Sequence, residues 1–144
     1  MGKQVSYLII GNGIAGITAA ETLRSIDRNS DITIVADDPF PVYYRPALKD
    51  FLGGRIAEEN LWARPNTFYQ KQRVKFVPGR VARIDPMRHF VQLQSGELLE
   101  YSKLLLANGA RPRQLDCPGL DLAGVSTLRT FADYQEVLRR LPTA

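Results

Sequence analysis

The chain is poor in the residues that build disulfide and metal scaffolds: its 144 residues include one cysteine, Cys117, and one histidine, His89. A single cysteine closes no internal disulfide, and the pair falls short of the four ligands of a structural zinc site. Long hydrophobic runs are lacking too. No stretch approaches the ~20 apolar residues of a membrane-spanning helix, and the opening MGKQVSYLII has no extended apolar core or small-residue cleavage site of a signal peptide. The cytoplasm is therefore the expected compartment. Charge of one sign does not dominate, with 19 Lys and Arg against 15 Asp and Glu, and 44% of residues are apolar, so disorder is not expected.

The small basic excess is local. Residues 64–88 carry Arg64, Lys71, Arg73, Lys75, Arg80, Arg83 and Arg88 against one acid, Asp85. Such a run is ordinarily a set of solvated faces; the sharper alternative is a docking patch for an acidic partner. Nucleic acid is not an expected partner, because no helix-turn-helix, finger or RNP pattern accompanies the charge.

What is present is a pattern of short buried strands and one amphipathic helix. Val5–Ile10 is rich in β-branched residues and stops at Gly11, as a strand of a parallel sheet does. Ile14, Ile17, Leu23 and Ile26 recur at helical spacing, and Ile32–Ala36 reads as a second buried strand ending at Asp37-Asp38. A helix between two strands makes a right-handed crossover joining parallel neighbours, so the class is α/β. Pro39, Pro41 and Pro46 then forbid regular structure and predict a stiff loop. Ala47–Leu52 is expected to form one helical turn ended by Gly53-Gly54, with Asn66 capping a short helix over Thr67–Gln72. Val74–Val77, Val81–Ile84 and a hairpin of Phe90–Leu93 with Leu98–Tyr101 suggest a small antiparallel sheet appended to the parallel one, and Leu104–Ala107 a further central strand. Thr130 and Asp133 resemble a capping box opening a helix whose apolar face is Tyr134, Val137, Leu138 and Leu141.

The chemistry lies in Gly11-Asn12-Gly13-Ile14-Ala15-Gly16, a G-x-G-x-x-G string between a strand and a helix, with an acid 21 residues after Gly16 at the tip of the next strand. That context is the one a dinucleotide-binding fingerprint requires. Gly11 permits the tight turn, Gly13 lets the backbone approach a pyrophosphate, and Gly16 allows the helix to pack closely on the strand, while the helix N-terminus offers N–H groups to phosphate. Asp37 would accept hydrogen bonds from the adenosine ribose, with Asp38 as the alternative. The fingerprint alone does not separate NAD from FAD.

GNGIAGITAAETL, Val42-Tyr43-Tyr44-Arg45-Pro46-Ala47-Leu48, Leu104-Leu105-Leu106-Ala107-Asn108-Gly109-Ala110-Arg111-Pro112, Pro118-Gly119-Leu120 and Leu128-Arg129-Thr130 together span nearly the whole chain. In this combination the sequence resembles the N-terminal FAD-binding segment of the flavin-dependent pyridine nucleotide-disulfide oxidoreductases. It is most similar to the branch of NADH-dependent rubredoxin and ferredoxin reductases and the flavin portion of assimilatory NAD(P)H nitrite reductases. The resemblance implies a three-layer, Rossmann-like FAD-binding domain, with FAD as cofactor and its pyrophosphate on Gly11–Gly16. It places Arg45 and Pro46 beside the flavin end, and main-chain atoms at Val81 near the adenine. It also brings Ala107-Asn108-Gly109 close to the cofactor, with Asn108 standing where the family commonly has threonine.

Many members carry a Ser-Lys pair after Arg-Pro-x-Leu, with the lysine near the reactive flavin nitrogen. Here Lys49 comes one residue earlier, which leaves it the single candidate for a catalytic side chain. No Cys-x₄-Cys or Cys-x-x-Cys pair follows the first helix, so no redox-active disulfide is expected, and Cys117 reads as a small buried or linker residue. His89, Trp62, Phe68 and Tyr69 read as structural, and one of Tyr43 and Tyr44 as a candidate neighbour of the flavin. Family members continue into a second fingerprint domain for NAD(P)H and then return to complete the FAD domain; neither segment occurs here. Residues 1–144 are thus expected to be part of an FAD-binding domain, a fragment of an enzyme that passes electrons from NAD(P)H through FAD to rubredoxin, ferredoxin or a nitrite reductase centre, alone or as a homo-oligomer. Two readings compete with it: an NAD-binding dehydrogenase domain, which places no demand on the loop 43–48, and a non-catalytic interaction domain that has lost the cofactor.

Overall fold

The computed structural model describes residues 3–141. Its contacts fall into two compact units, the first formed by the chain through Val42 together with Arg64–Gly109, the second by Tyr43–Ala63 together with the segment from Ala110 onward.

The first unit is built on one six-stranded sheet. Its strands are β1 (Lys3–Ile10), β2 (Ile32–Ala36), β3 (Val74–Pro78), β4 (Val81–Asp85), β5 (Phe90–Leu93) and β6 (Leu98–Leu106), in the order β3-β2-β1-β6-β5-β4. The three ladders joining β3, β2, β1 and β6 are parallel; those joining β6, β5 and β4 are antiparallel. Helix α1 (Ile14–Ile26) makes the crossover between β1 and β2, as its spacing of apolar residues predicts. All five residues of β2, the polar Thr33 among them, are buried, as in a strand of a sheet covered on both faces.

β3 and β4 stand at opposite ends of the strand order, yet only Gly79-Arg80 separates them in sequence. Two residues cannot cross a flat sheet of six strands ~4.8 Å apart, so the sheet folds back on itself. Gly79 N–H donates to the Ala36 carbonyl at 2.8 Å, Gln94 N–H to the Arg80 carbonyl at 2.8 Å, and Val35 and Val77 share one buried cluster with Val91, Leu93 and Leu99. Leu8 joins that cluster, whereas its neighbour Ile9 faces Gly16 of α1. Successive side chains of a strand point to opposite faces, so α1, the parallel sheet and the folded-over antiparallel strands form three layers, as expected.

Three local expectations are corrected. Val74–Val77 lies parallel to β2 and not in the antiparallel sheet; the segment from Asp37 to Arg73 is long enough for a crossover, and strand direction is set by that route rather than by the strand's own residues. Leu98–Tyr101 and Leu104–Ala107 are not two strands. A single β6 runs through the exposed Ser102-Lys103, pairing with β5 over Leu98–Glu100 and with β1 over Leu99–Leu106. Asn66 does not cap α3, which is only Phe68–Lys71 and starts from Thr67 without a side-chain cap.

In the second unit a 3-10 turn at Arg45–Ala47 leads into α2 (Leu48–Leu52), which ends at Gly53 as expected, and a further 3-10 turn covers Glu58–Asn60. Helix α4 (Phe131–Arg140) opens with the expected capping box: the Thr130 hydroxyl accepts from Asp133 N–H at 3.1 Å, and Asp133 Oδ2 accepts from Thr130 N–H at 2.7 Å. Its Tyr134 stacks on Phe51 at 4.7 Å, while Leu138 and Leu141 remain exposed. No helix of the described residues is long and apolar enough to cross a membrane.

Candidate functional site

The fingerprint turn sits where three parallel strands end. Gly11 N–H donates to the Val35 carbonyl at 2.8 Å, and Ala107 N–H to the Ile10 carbonyl at 2.8 Å. The chain can turn there because Gly11 adopts φ +117°, and a Cβ at this position would stand 2.2 Å from the Ala107 carbonyl oxygen. A Cβ on Gly16 would stand 2.0 Å from the Gly11 carbonyl oxygen. These two glycines are required by the protein's own packing.

Gly13 is different. A Cβ there would meet nothing within 4 Å, and its φ of −89° suits any residue. It occupies the N-cap position of α1, where no side chain caps the helix and no acid lies in the first turn; Ile14 and Ala15 beside it are exposed. The protein leaves free both the space and the N–H groups that an anion would take up. The fit to a pyrophosphate is therefore good on this chain's own geometry.

Asn12 is 8% exposed. Its Oδ1 accepts from the Tyr69 hydroxyl at 2.6 Å and its Nδ2 donates to the Phe40 carbonyl at 3.2 Å, so the side chain is turned into the protein. Burial, the largest influence, holds the Tyr69 phenol above its ordinary range and keeps it a donor. Beyond β2, Asp38 Oδ1 accepts from Phe40 N–H at 3.3 Å, while Asp37 is exposed and engaged by no described residue. Val81 opens β4 opposite Leu93, with a register irregularity between Val81 and Arg83. Asn108 is exposed, and Gly109 follows at φ +68°.

The second unit holds the remaining candidates. Arg45 Nη1 donates to the Tyr43 hydroxyl at 3.1 Å and to the Arg129 carbonyl at 3.2 Å, and its guanidinium lies 5.1 Å from the Tyr43 ring centre. Tyr43 is buried, accepts from Phe131 N–H at 2.9 Å and packs edge-on against Trp62. It is thereby an anchor, and of the two tyrosines only Tyr44 is exposed. Pro46 is exposed in the 3-10 turn. Lys49 Nζ donates to Asp50 Oδ2 at 2.8 Å on the surface, and Arg55 engages the other oxygen, so Lys49 and then Arg55 hold the Asp50 carboxyl below its usual range. Cys117 is exposed, which leaves the linker reading and removes the buried one.

Sequence reasoning missed the part played by Phe40 and Tyr69. No pattern could have found either, since their contacts to Asn12 span 28 and 57 positions.

The family profile described as pyridine nucleotide-disulphide oxidoreductase matches residues 5–142. The chain belongs to this family. Members bind FAD and use NAD(P)H as substrate. Among relatives, the rhodocoxin reductase of Rhodococcus erythropolis is 39% identical over 135 residues, covering 92% of this chain and 32% of that protein. A rubredoxin-NAD(+) reductase of Pseudomonas putida is 34% identical over 139 residues, 95% of this chain and 36% of its own length. The crystal structure of a covalent putidaredoxin reductase–putidaredoxin complex aligns at TM-score 0.81 with 31% identity, over 94% of this chain and 34% of that one. The chain thus spans about a third of the length of the relatives it matches.

Proposed function

We propose that this chain is the FAD-binding part of an NAD(P)H-dependent flavoprotein oxidoreductase that delivers electrons to a small acidic carrier protein. The observation that carries the reading is Gly13, whose missing side chain answers to nothing in the protein but fits a pyrophosphate at the start of α1. On this reading Gly11, Asn12, Gly13, Ile14, Ala15 and Gly16 form the phosphate turn. Asp37 takes the ribose, Val81 offers main-chain contacts to the adenine, and Ala107, Asn108 and Gly109 border the cofactor. Arg45 and Pro46 are retained for the flavin end on the family resemblance alone. Lys49, whose exposed ammonium forms a surface ion pair with Asp50, is the candidate catalytic side chain on the family resemblance alone.

Bound FAD would supply the redox chemistry, accepting a hydride from NAD(P)H and releasing electrons to the acceptor. The chain spans about a third of its relatives' length, which supports assigning the NAD(P)H site to the remainder of such a protein. The cytoplasm, where NAD(P)H is kept reduced, is the proposed compartment; no homo-oligomer is proposed. The named partners of the relatives, rubredoxin and putidaredoxin, support a protein carrier as acceptor.

The deciding experiment is Gly13→Val. Its flavin-free form should melt at the temperature of the flavin-free wild type, since the side chain enters open space, and the variant should lose the bound flavin absorbance. Cys117→Ser should keep it. Flavin retained equally by both would overturn the assignment. Protein that takes up NAD and no flavin would establish the dehydrogenase reading instead.

A further inference from the structure

Asn12 stands inside the phosphate turn, yet its amide serves two segments remote from that turn. One is the loop that follows Asp37-Asp38, reached through the Phe40 carbonyl; the other is α3, reached through the Tyr69 hydroxyl. The loop is tied a second time where Phe40 N–H donates to Asp38. A line of hydrogen bonds therefore runs from Tyr69 through Asn12 and Phe40 to the acidic end of β2. Tyr69 is held on its own account, its ring edge-on to Phe68 at 5.2 Å and 5.6 Å from Phe76 of β3.

We infer that Tyr69 is a positioning residue, which fixes the Asn12 amide and so locks the phosphate turn and the ribose loop in one relative geometry. The inference rests on the FAD reading above. The direction of the bonds carries it. An asparagine amide presents one acceptor and two donors, and only with Oδ1 toward the Tyr69 hydroxyl can Nδ2 reach the Phe40 carbonyl. Without the hydroxyl Oδ1 loses its partner and the amide is held by the Nδ2 bond to the Phe40 carbonyl alone, the tie between the two half-sites loosens, and their correct spacing must be restored by the ligand on binding. A ligand that bridges both half-sites suffers; one that occupies the phosphate turn alone does not.

The test compares wild type, Tyr69→Phe, Asn12→Ser and the double variant in the purified protein freed of flavin. It uses FAD, ADP and inorganic pyrophosphate as probes and records the melting temperature of each apoprotein. Tyr69→Phe keeps the packed ring but removes the hydroxyl's bonds to Asn12 and to the Val42 backbone; it should weaken FAD and ADP about fivefold and pyrophosphate less than twofold. Asn12→Ser, too short to reach both partners, should weaken FAD at least as much, and the double variant should be no weaker than Asn12→Ser alone. Unchanged FAD binding by Tyr69→Phe, equal weakening of pyrophosphate and ADP, or additive losses in the double variant would each overturn the inference. Gly13→Val separates this failure from that of the parent reading, because FAD binding that survives it removes the phosphate turn itself as the site.

Discussion

At the scale of the residue, the three glycines of the fingerprint are unequal. Gly11→Ala forces a Cβ against the Ala107 carbonyl at a backbone angle that L-residues rarely adopt, and should destabilise the fold by roughly 2–4 kcal/mol, read as a lower denaturant midpoint even without ligand. Gly13→Ala should leave that midpoint unchanged. Asp27 offers a second test. Hydrogen bonds from the Ser30 side chain, then from the N–H groups of Ser30 and Asn29, lower its pKa to about 2, with a smaller contribution from the Tyr7 hydroxyl. A carboxyl depressed on folding contributes stability in full above its unfolded value near 4 and loses it as the pH falls toward 2. The stability difference between wild type and Asp27→Asn should therefore be constant above pH 5 and shrink between pH 4 and 2, as urea unfolding at stepped pH would show. A difference that grows on acidification would refute this account.

At the scale of the element, the end of α1 is held by one side chain. Arg24 donates from Nε to the Gln72 carbonyl at 2.8 Å, from Nη1 to Asp27 at 3.1 Å and Ser30 at 2.9 Å, and from Nη2 to Arg73 at 3.0 Å. Four carbonyls at the exit of α1 and the entry of β3 share this guanidinium, a planar fork that lysine cannot imitate. Arg24→Met keeps much of the length and apolar stem, and should lower unfolding stability by ~2–3 kcal/mol without altering FAD affinity. Arg24→Lys should recover less than half of the loss. Sequence alone presents Arg24 as one more polar residue in the last turn of an amphipathic helix, since all its partners are backbone atoms and leave no trace in residue type.

At the scale of the whole molecule, the structure thins the basic segment. Arg64 forms a two-bonded ion pair with Glu21, at 2.8 and 2.9 Å; Arg73 donates to the Arg28 carbonyl, and Arg83 lies 3.4 Å from Asp85. Lys71, Lys75, Arg80 and Arg88 are exposed and make no ion pair with a described residue. If an acidic carrier docks here, the triple variant Lys71→Glu, Lys75→Glu, Arg80→Glu should slow its reduction by the complete enzyme at least tenfold at low salt. The gap should narrow as ionic strength rises past ~0.1 M, where the screening length is ~10 Å. Reduction of a small neutral quinone should be spared. Equal rates with the carrier would mark these residues as solvated faces only.

The sequence by itself determined the elements whose signals are local: β1, α1 and β2 by their apolar periods, the turn between β1 and α1 by its glycines, and the start of α4 by the pairing of Thr130 with Asp133. Such features depend on neighbours within a few residues, and sterics and hydrogen-bond geometry act at that range. Only the tertiary structure decided what depends on chain route. It turned Val74–Pro78 into a parallel strand, fused Leu98–Leu106 into one strand shared by two layers, and folded the sheet back at Gly79-Arg80. It also buried Tyr43 beside Trp62 and Phe131 and brought Tyr69 to Asn12. Burial and pairing between residues dozens of positions apart are set by how layers stack, and residue type is silent on that.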